Sequence, residues 1–189
     1  ELDKMADTDR DALHEGLEQQ IISVAKAGIT ATLRCRCSVL AAANPKLGRF
    51  NLIEPISSQI KLAPTLLSRF DLIFVLFDTP EQELDSRISS HILNVYMDDS
   101  VATPPIPPEL LRKYIAYARR TITPQMTPES SKALQDYYLG VRAKYNSGPN
   151  QPVPTTARQL QALVRLSVAS ARLRLSNQVE LQDANRAIA

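Results

Sequence analysis

Four prolines, Pro104, Pro105, Pro107 and Pro108, crowd the segment Asp98–Pro108 and split the chain into two stretches that must fold by different rules. Proline fixes φ, removes a backbone donor and turns the residue before it away from helix, so no helix or central strand can run through this segment. It is expected to be a linker. Before it, residues 1–97 alternate helical patterns with apolar strands, the rhythm of an α/β domain. Beyond it, residues 109–189 carry only helical periodicity, over Glu109–Arg120, Pro128–Lys144, Thr156–Leu175 and Leu181 to the end. The run Ser147-Gly-Pro-Asn150 with Pro152 and Pro154 breaks the second of these from the third.

The chain's 189 residues suffice for one large or two small domains, and 44% hydrophobic with 22% charged residues is ordinary globular composition. No apolar run approaches the roughly 20 residues that span a bilayer, so no membrane association is expected. A net charge of +2 points to no particular partner, and any nucleic-acid contact must come from local placement of basic residues. Cys35 and Cys37 flank Arg36. On an extended strand such alternate residues share a face but stand too far apart for an easy disulfide. With only His14 and His91 beside them, no protein-held metal site is expected.

In the first stretch, Asp7 and Asp9 are placed to cap a helix running to about Gln20, with Ala12, Leu13 and Leu17 on one face. Ile21–Ala25 and Ile29–Leu33 are β-prone and flank Lys26-Ala27-Gly28, a hairpin turn in which Gly28 supplies a positive φ. Ser38–Ala43 and Asp71–Phe77 are near-continuous apolar runs, the mark of strands covered on both faces. The first ends at Asn44, and Arg69 stands on the loop before the second. An amide with no pKa to manage suits polarising a water, and a planar guanidinium suits reaching phosphate oxygens. Pro80 then opens a helix carrying Leu84, Ile88, Ile92, Leu93 and Tyr96.

Six segments, in order and spacing, resemble the MCM replicative helicases and together cover essentially the whole chain. They are Glu1-Leu-Asp-Lys-Met5, Glu18-Gln-Gln20, Ser23-Val-Ala-Lys-Ala-Gly28, Ala41-Ala-Ala-Asn-Pro45, Leu67-Ser-Arg-Phe-Asp71 and Thr156-Ala-Arg-Gln-Leu160. The resemblance implies an α/β fold, the C-terminal portion of an AAA+ P-loop NTPase core, followed by an all-helical lid. It divides the chain into residues 1–97 (core), 98–108 (linker) and 109–189 (lid). It also implies an ATP-driven ring that unwinds DNA at a replication fork, with ATP and Mg²⁺ as cofactors. The implied partners are single- and double-stranded DNA, further copies of the chain in a hexamer, and replication-fork proteins. The compartment implied is the cytoplasm and nucleoid for an archaeal source and the nucleus for a eukaryotic one.

Residue by residue, Glu1 resembles the Walker B glutamate that orients the attacking water, and Asn44 resembles sensor 1. Arg69 resembles the arginine finger offered across a subunit interface, Arg158 resembles sensor 2, and Gln19 resembles a further contact made in trans. Lys26 resembles the tip of the pre-sensor hairpin, where an ammonium can touch DNA phosphates without reading sequence. Read alone, Glu1 and Lys26 would be solvated charges, Asn44 would be equally an Asx turn before Pro45 or a water-polarising amide, and Arg69 would be the local ion partner of Asp71. Tyr114, Tyr117, Tyr137, Tyr138 and Tyr145 are expected to pack within helices.

The chain departs from the family most in lacking a Gly-x-x-x-x-Gly-Lys-Ser/Thr loop, without which nothing cradles the β- and γ-phosphates. In the family that loop precedes the position of Glu1. The expectation is therefore a piece of the enzyme that is inactive by itself. Two other functions are compatible with the same residues: a non-catalytic AAA+ interaction module supplying Arg69 and Arg158 to a partner, or an AAA+ remodeller of proteins.

Overall fold

A computed structural model describes residues 1–26, 28–51, 53–97, 104–144 and 156–189. Tyr145, the Gly-Pro break at 147–154, Thr155 and most of the linker lie outside the described residues. The chain forms two compact units, Glu1–Thr79 and Pro80–Ala189.

The first unit opens with a 3₁₀ turn, Leu2–Lys4, and helix α1, Asp7–Gln19. The N-cap is Ala6, one residue before Asp7 and three before Asp9, the aspartates expected to cap the helix. It stops at Gln20, which adopts a left-handed conformation with φ 56°. The chain then reverses into an antiparallel hairpin of β1, Ile21–Lys26, and β2, Ile29–Arg34, in full register from Ile21 opposite Arg34 to Lys26 opposite Ile29. Gly28 has φ +77°, as the turn requires. Nothing crowds a Cβ there, so the strain of Gly28→Ala is purely conformational. The expected loss is about 1 kcal/mol, seen as faster amide exchange over residues 21–34. Glu15 ties the hairpin to α1: its carboxylate accepts the Ser23 hydroxyl at 2.6 Å and the Ser23 N–H at 2.8 Å. Those two donors hold the Glu15 carboxyl below its usual range.

Two short helices follow, α2, Ile56–Gln59, and α3, Pro64–Leu67. Leu2, Leu62 and Leu66 form the core of this unit, with Met5, Leu13, Leu17, Ile60, Leu67 and Phe70 packed around them. Buried Gln59 pins the loop before it, donating to the carbonyls of Asn51 (2.8 Å) and Glu54 (2.9 Å) and accepting the Asn51 N–H.

The runs Ser38–Ala43 and Asp71–Phe77, expected as buried strands, have no strand ladder here. Leu40 is 100% exposed and Leu76 85% exposed. A strand covered on both faces owes its burial and its hydrogen bonds to neighbouring strands. Among the described residues no strand pairs with these two, and the segments stay outside any sheet.

The second unit contains α4, Gln82–Met97, which has no buried residue, then α5, Pro108–Thr121, α6, Pro128–Lys144, α7, Ala157–Leu173, and α8, Leu181–Ile188. It is not purely helical. Two-residue strands β3, Gln125–Met126, and β4, Gln178–Val179, pair in parallel, with Thr127 donating from both N–H and hydroxyl to the Val179 carbonyl. Ala118, Ile122, Leu134, Ala162, Ala171, Val179 and Ala184 are buried where these elements meet.

One carboxylate organises this unit. Asp183, fully buried in the first turn of α8, accepts from Ser170 (2.8 Å), the Glu180 N–H (3.0 Å) and Arg174 through both Nε (3.0 Å) and Nη2 (2.7 Å). The Arg174 hydrogen bond leads in lowering its pKa to about 2, assisted by Ser170 and the Glu180 N–H and opposed by burial. Arg186 reaches the same cluster through the Ser170 hydroxyl at 3.1 Å.

Candidate functional site

The 3₁₀ turn at the N-terminus and the segment ending at Asn44 lie side by side. The Leu2 N–H donates to the Ala42 carbonyl at 2.8 Å, and the Asn44 N–H donates to Asp3 Oδ1 at 3.3 Å. Leu2 is buried, which anchors the turn, while Glu1 and Asn44 stay exposed. Glu1 pairs with Lys4 at 2.8 Å on an open surface, and the Lys4 ammonium is shifted upward by that hydrogen bond. Solvent screens such an exposed pair, so the carboxylate is not committed to it.

Around Asn44 lies a concavity of about 520 Å³ lined by Asp3, Lys4, Arg10, Lys46 and Lys61 among others. Four of these are cations, and two are held by backbone oxygens: Arg10 Nη2 donates to Asp3 O at 2.7 Å, and Lys46 Nζ to Ser58 O at 2.7 Å. A hollow with this charge and an amide at its rim suits a polyanion. Among the described residues no group of three His, Cys, Asp or Glu side chains could hold a metal ion by itself.

Arg69 is placed elsewhere in the same unit. It follows α3 and forms an ion pair with Glu18, fifty-one residues away, near the end of α1. Its side chain is 15% exposed, and its Nε is buried without a hydrogen-bond partner. A buried guanidinium donor left unmade costs about 1–3 kcal/mol, which an anionic acceptor would recover. Gln19, the next residue after Glu18, is exposed at the helix end. The structure thus brings Glu1, Asp3 and Asn44 together, and gathers Glu18, Gln19 and Arg69 into a second group.

The backbone puts Lys26 at the hairpin tip, the last residue of β1. Arg158 belongs to the other unit. It is the second residue of α7 and is half-buried, two positions after the N-cap Thr156, whose N–H is accepted by Gln159 Oε1 at 2.8 Å. The first turn of a helix does not favour a cation, so this position gains from a facing anion. Sequence reasoning missed Asp3, Glu18 and the cations around Asn44. Asp3 and Glu18 do stand inside the two segments Glu1–Met5 and Glu18–Gln20, and that was the available signal.

Comparison with known proteins matches both stretches of the chain. Residues 1–96 fit the MCM P-loop domain and residues 109–189 the MCM AAA-lid domain. The minichromosome maintenance protein MCM of Saccharolobus solfataricus is 47% identical over 188 residues, covering 100% of this chain and 27% of that protein. The DNA replication licensing factor mcm4 of Schizosaccharomyces pombe is 41% identical, with 97% of this chain and 21% of the relative covered. The probable DNA helicase MCM8 of Arabidopsis thaliana is 36% identical, with 97% and 28% covered. The chain therefore spans about a quarter of the length of these relatives. No helix among the described residues is long and apolar enough to cross a membrane. An α/β core of the AAA+ class, followed by an AAA-lid and matched from end to end, makes this chain a member of the MCM family.

Proposed function

We propose that this chain is the later part of the motor of an ATP-driven DNA helicase, and that it supplies residues to two different nucleotide sites. The observation that carries this is the separation of the two groups: Asp3 and Asn44 at a cationic hollow, with Glu1 capping the turn that carries Asp3, and Arg69 with Gln19 apart from it on Glu18. In a head-to-tail ring each subunit offers one face to its own nucleotide and another to its neighbour's, so two spatially distinct groups are what such an assembly needs. The domain division we adopt is residues 1–97 for the core, 98–108 for the linker and 109–189 for the lid.

On the chain's own face, Glu1 orients the attacking water and Asn44 holds that water in line through its amide. The hollow at Asn44 fits a nucleotide phosphate chain by charge. Bound ATP with Mg²⁺ supplies the transferable phosphoryl group, its cradle coming from the Walker A loop that the relatives' family carries. On the other face, Arg69 and Gln19 reach the neighbour's nucleotide; Arg158, carried by the lid, has the sensor 2 role towards a neighbouring subunit. The orphaned Nε of Arg69 fits an anionic partner. Glu18 acts as its positioning residue by fixing the guanidinium before the neighbour docks. Six copies would close the ring, and Lys26 would project from each hairpin tip to track the phosphates of a DNA strand. Single- and double-stranded DNA and fork proteins are the partners, in the cytoplasm and nucleoid or the nucleus according to source.

The test separates a DNA motor from a remodeller of proteins. In a full-length protein carrying this chain, Lys26→Ala should weaken single-stranded DNA binding by about tenfold and flatten its salt dependence, with basal ATP hydrolysis retained. Unchanged DNA binding at low and high salt would remove Lys26 from the interface and favour the protein-remodelling function.

A further inference from the structure

The exit of the hairpin contains a feature that none of this chemistry uses. Cys35 and Cys37, the only cysteines of the chain, have their sulfurs 3.6 Å apart. The extended geometry expected from sequence does not hold here. β2 ends at Arg34, and the Cys37 N–H donates to the Cys35 carbonyl at 3.1 Å, which closes a γ-turn around Arg36. In a strand, residues two apart stand about 6.6 Å apart and bridge poorly. The turn shortens that span and swings both thiols to one side.

The first cysteine is also fixed in place. Its N–H donates to the Gln20 carbonyl at 2.7 Å, and a Cβ on Gly16 would lie 3.8 Å from its sulfur, so helix α1 passes close beside it. Cys35 is half-buried and Cys37 exposed. The hydrogen bond to Cys37 and partial burial push the Cys35 thiol upward, which leaves Cys37 as the sulfur that reacts first.

We propose that Cys35 and Cys37 form a redox-active dithiol that closes into an intrachain disulfide by exchange with a low-molecular-weight disulfide. The Cys37 thiolate attacks one sulfur of the oxidant, giving a mixed disulfide and releasing one thiolate. The Cys35 sulfur then attacks Cys37, expelling the second thiolate. The two protein thiols lose two electrons, the oxidant gains them, and the two protein protons end on the two released thiols. The sulfurs have only about 1.5 Å to close, within reach of a rotation about Cα–Cβ. Because Cys35 directly follows the residue paired with Ile21, the bond would set the backbone at the root of the hairpin that carries Lys26.

The test uses the whole chain at high dilution, where self-association is suppressed, reduced and then equilibrated in graded ratios of oxidised to reduced glutathione, with thiol trapping and intact mass. The expected end product has no free thiol, a mass lower by two hydrogens and no retained glutathione. The folded chain should also oxidise at a ratio about tenfold lower than the same chain in urea, since the fold has already brought the sulfurs together. Cys35→Ser should stop at a glutathione adduct on Cys37. A glutathione adduct or an interchain dimer as the wild-type end product would overturn the proposal. So would equal midpoints for folded and unfolded chain, or an unreactive Cys37 in Cys35→Ser.

Discussion

Replacing Arg69 by alanine is expected to lower DNA-stimulated ATP hydrolysis by about 10³-fold or more in a full-length protein carrying this chain, because a finger guanidinium neutralises charge that develops only in the transition state. Binding of nucleotide at the chain's own site should change little, since Arg69 is grouped with Glu18 and not with Asn44. Arg69→Lys should rescue poorly, as an ammonium cannot reproduce the planar fork. Mixing the alanine variant with wild type gives the sharper result. In a ring of six whose sites fire in concert, half-mutant mixtures should retain only about one sixty-fourth of the activity. A decline merely proportional to the mutant fraction would mean that the six sites fire independently, and no decline at all would remove Arg69 from the reaction. Glu18→Gln should fall between, with kcat lowered and KM unchanged, because it loosens Arg69 without removing it.

The second large effect concerns stability. Asp183→Ala strips four hydrogen bonds from a fully buried point and leaves the Ser170 hydroxyl and the Arg174 fork facing the gap. The expected loss is about 2–3 kcal/mol, at the low end for a broken buried pair because Arg174 is partly exposed and keeps Glu180 nearby at 3.6 Å. All six tyrosines lie at Tyr96 or later, so tyrosine fluorescence follows residues 80–189 alone. The pH dependence has a definite sign. The folded pKa of Asp183 is lowered, to about 2 from an ordinary 3.8, so its stabilising contribution is complete above about pH 4. It is lost as the pH falls through about 2, a total of roughly 2 kcal/mol. Asp183→Asn should flatten that part of the acid-unfolding curve relative to wild type, whatever the other carboxylates do.

Local signals carried the sequence analysis where structure is local. Helix α6 runs from Pro128 to Lys144 as its periodicity and leading proline imply, and the hairpin follows from two β-prone runs around Gly28. Contacts between distant residues left no trace in pattern. The β3–β4 pairing joins two-residue segments more than fifty positions apart, too short to carry periodicity. Glu18 and Arg69 are equally remote, so the sequence offered Asp71 as the nearer partner. The apolar runs before Asn44 and after Arg69 read as buried strands because their composition is that of buried strands, yet burial requires neighbours that composition cannot supply. Asp183 carries no signal in the sequence, because an aspartate three residues after Glu180 resembles an ordinary exposed helix start. Only the fold turns it inward. The cysteines are illegible for a related reason: a γ-turn is a hydrogen bond between residues two apart, and Cys-Arg-Cys encodes no preference for it over continuing the strand.

The bare segments 38–43 and 71–77 have a practical consequence for anyone handling this polypeptide. Leu40, Phe74 and Leu76 stand open on backbone that joins no strand ladder among the described residues. Apolar, β-rich stretches of this kind are templates for pairing with any similar strand, including their own counterparts on other molecules. Produced alone, the 189 residues should therefore precipitate or gather into soluble aggregates as concentration rises, and oligomers seen by light scattering would report sticky edges and not ring assembly. Solubilising charges placed at Leu40 and Leu76 would cure the stickiness while leaving the Glu18–Arg69 latch, the dithiol and the Asp183 cluster accessible to study.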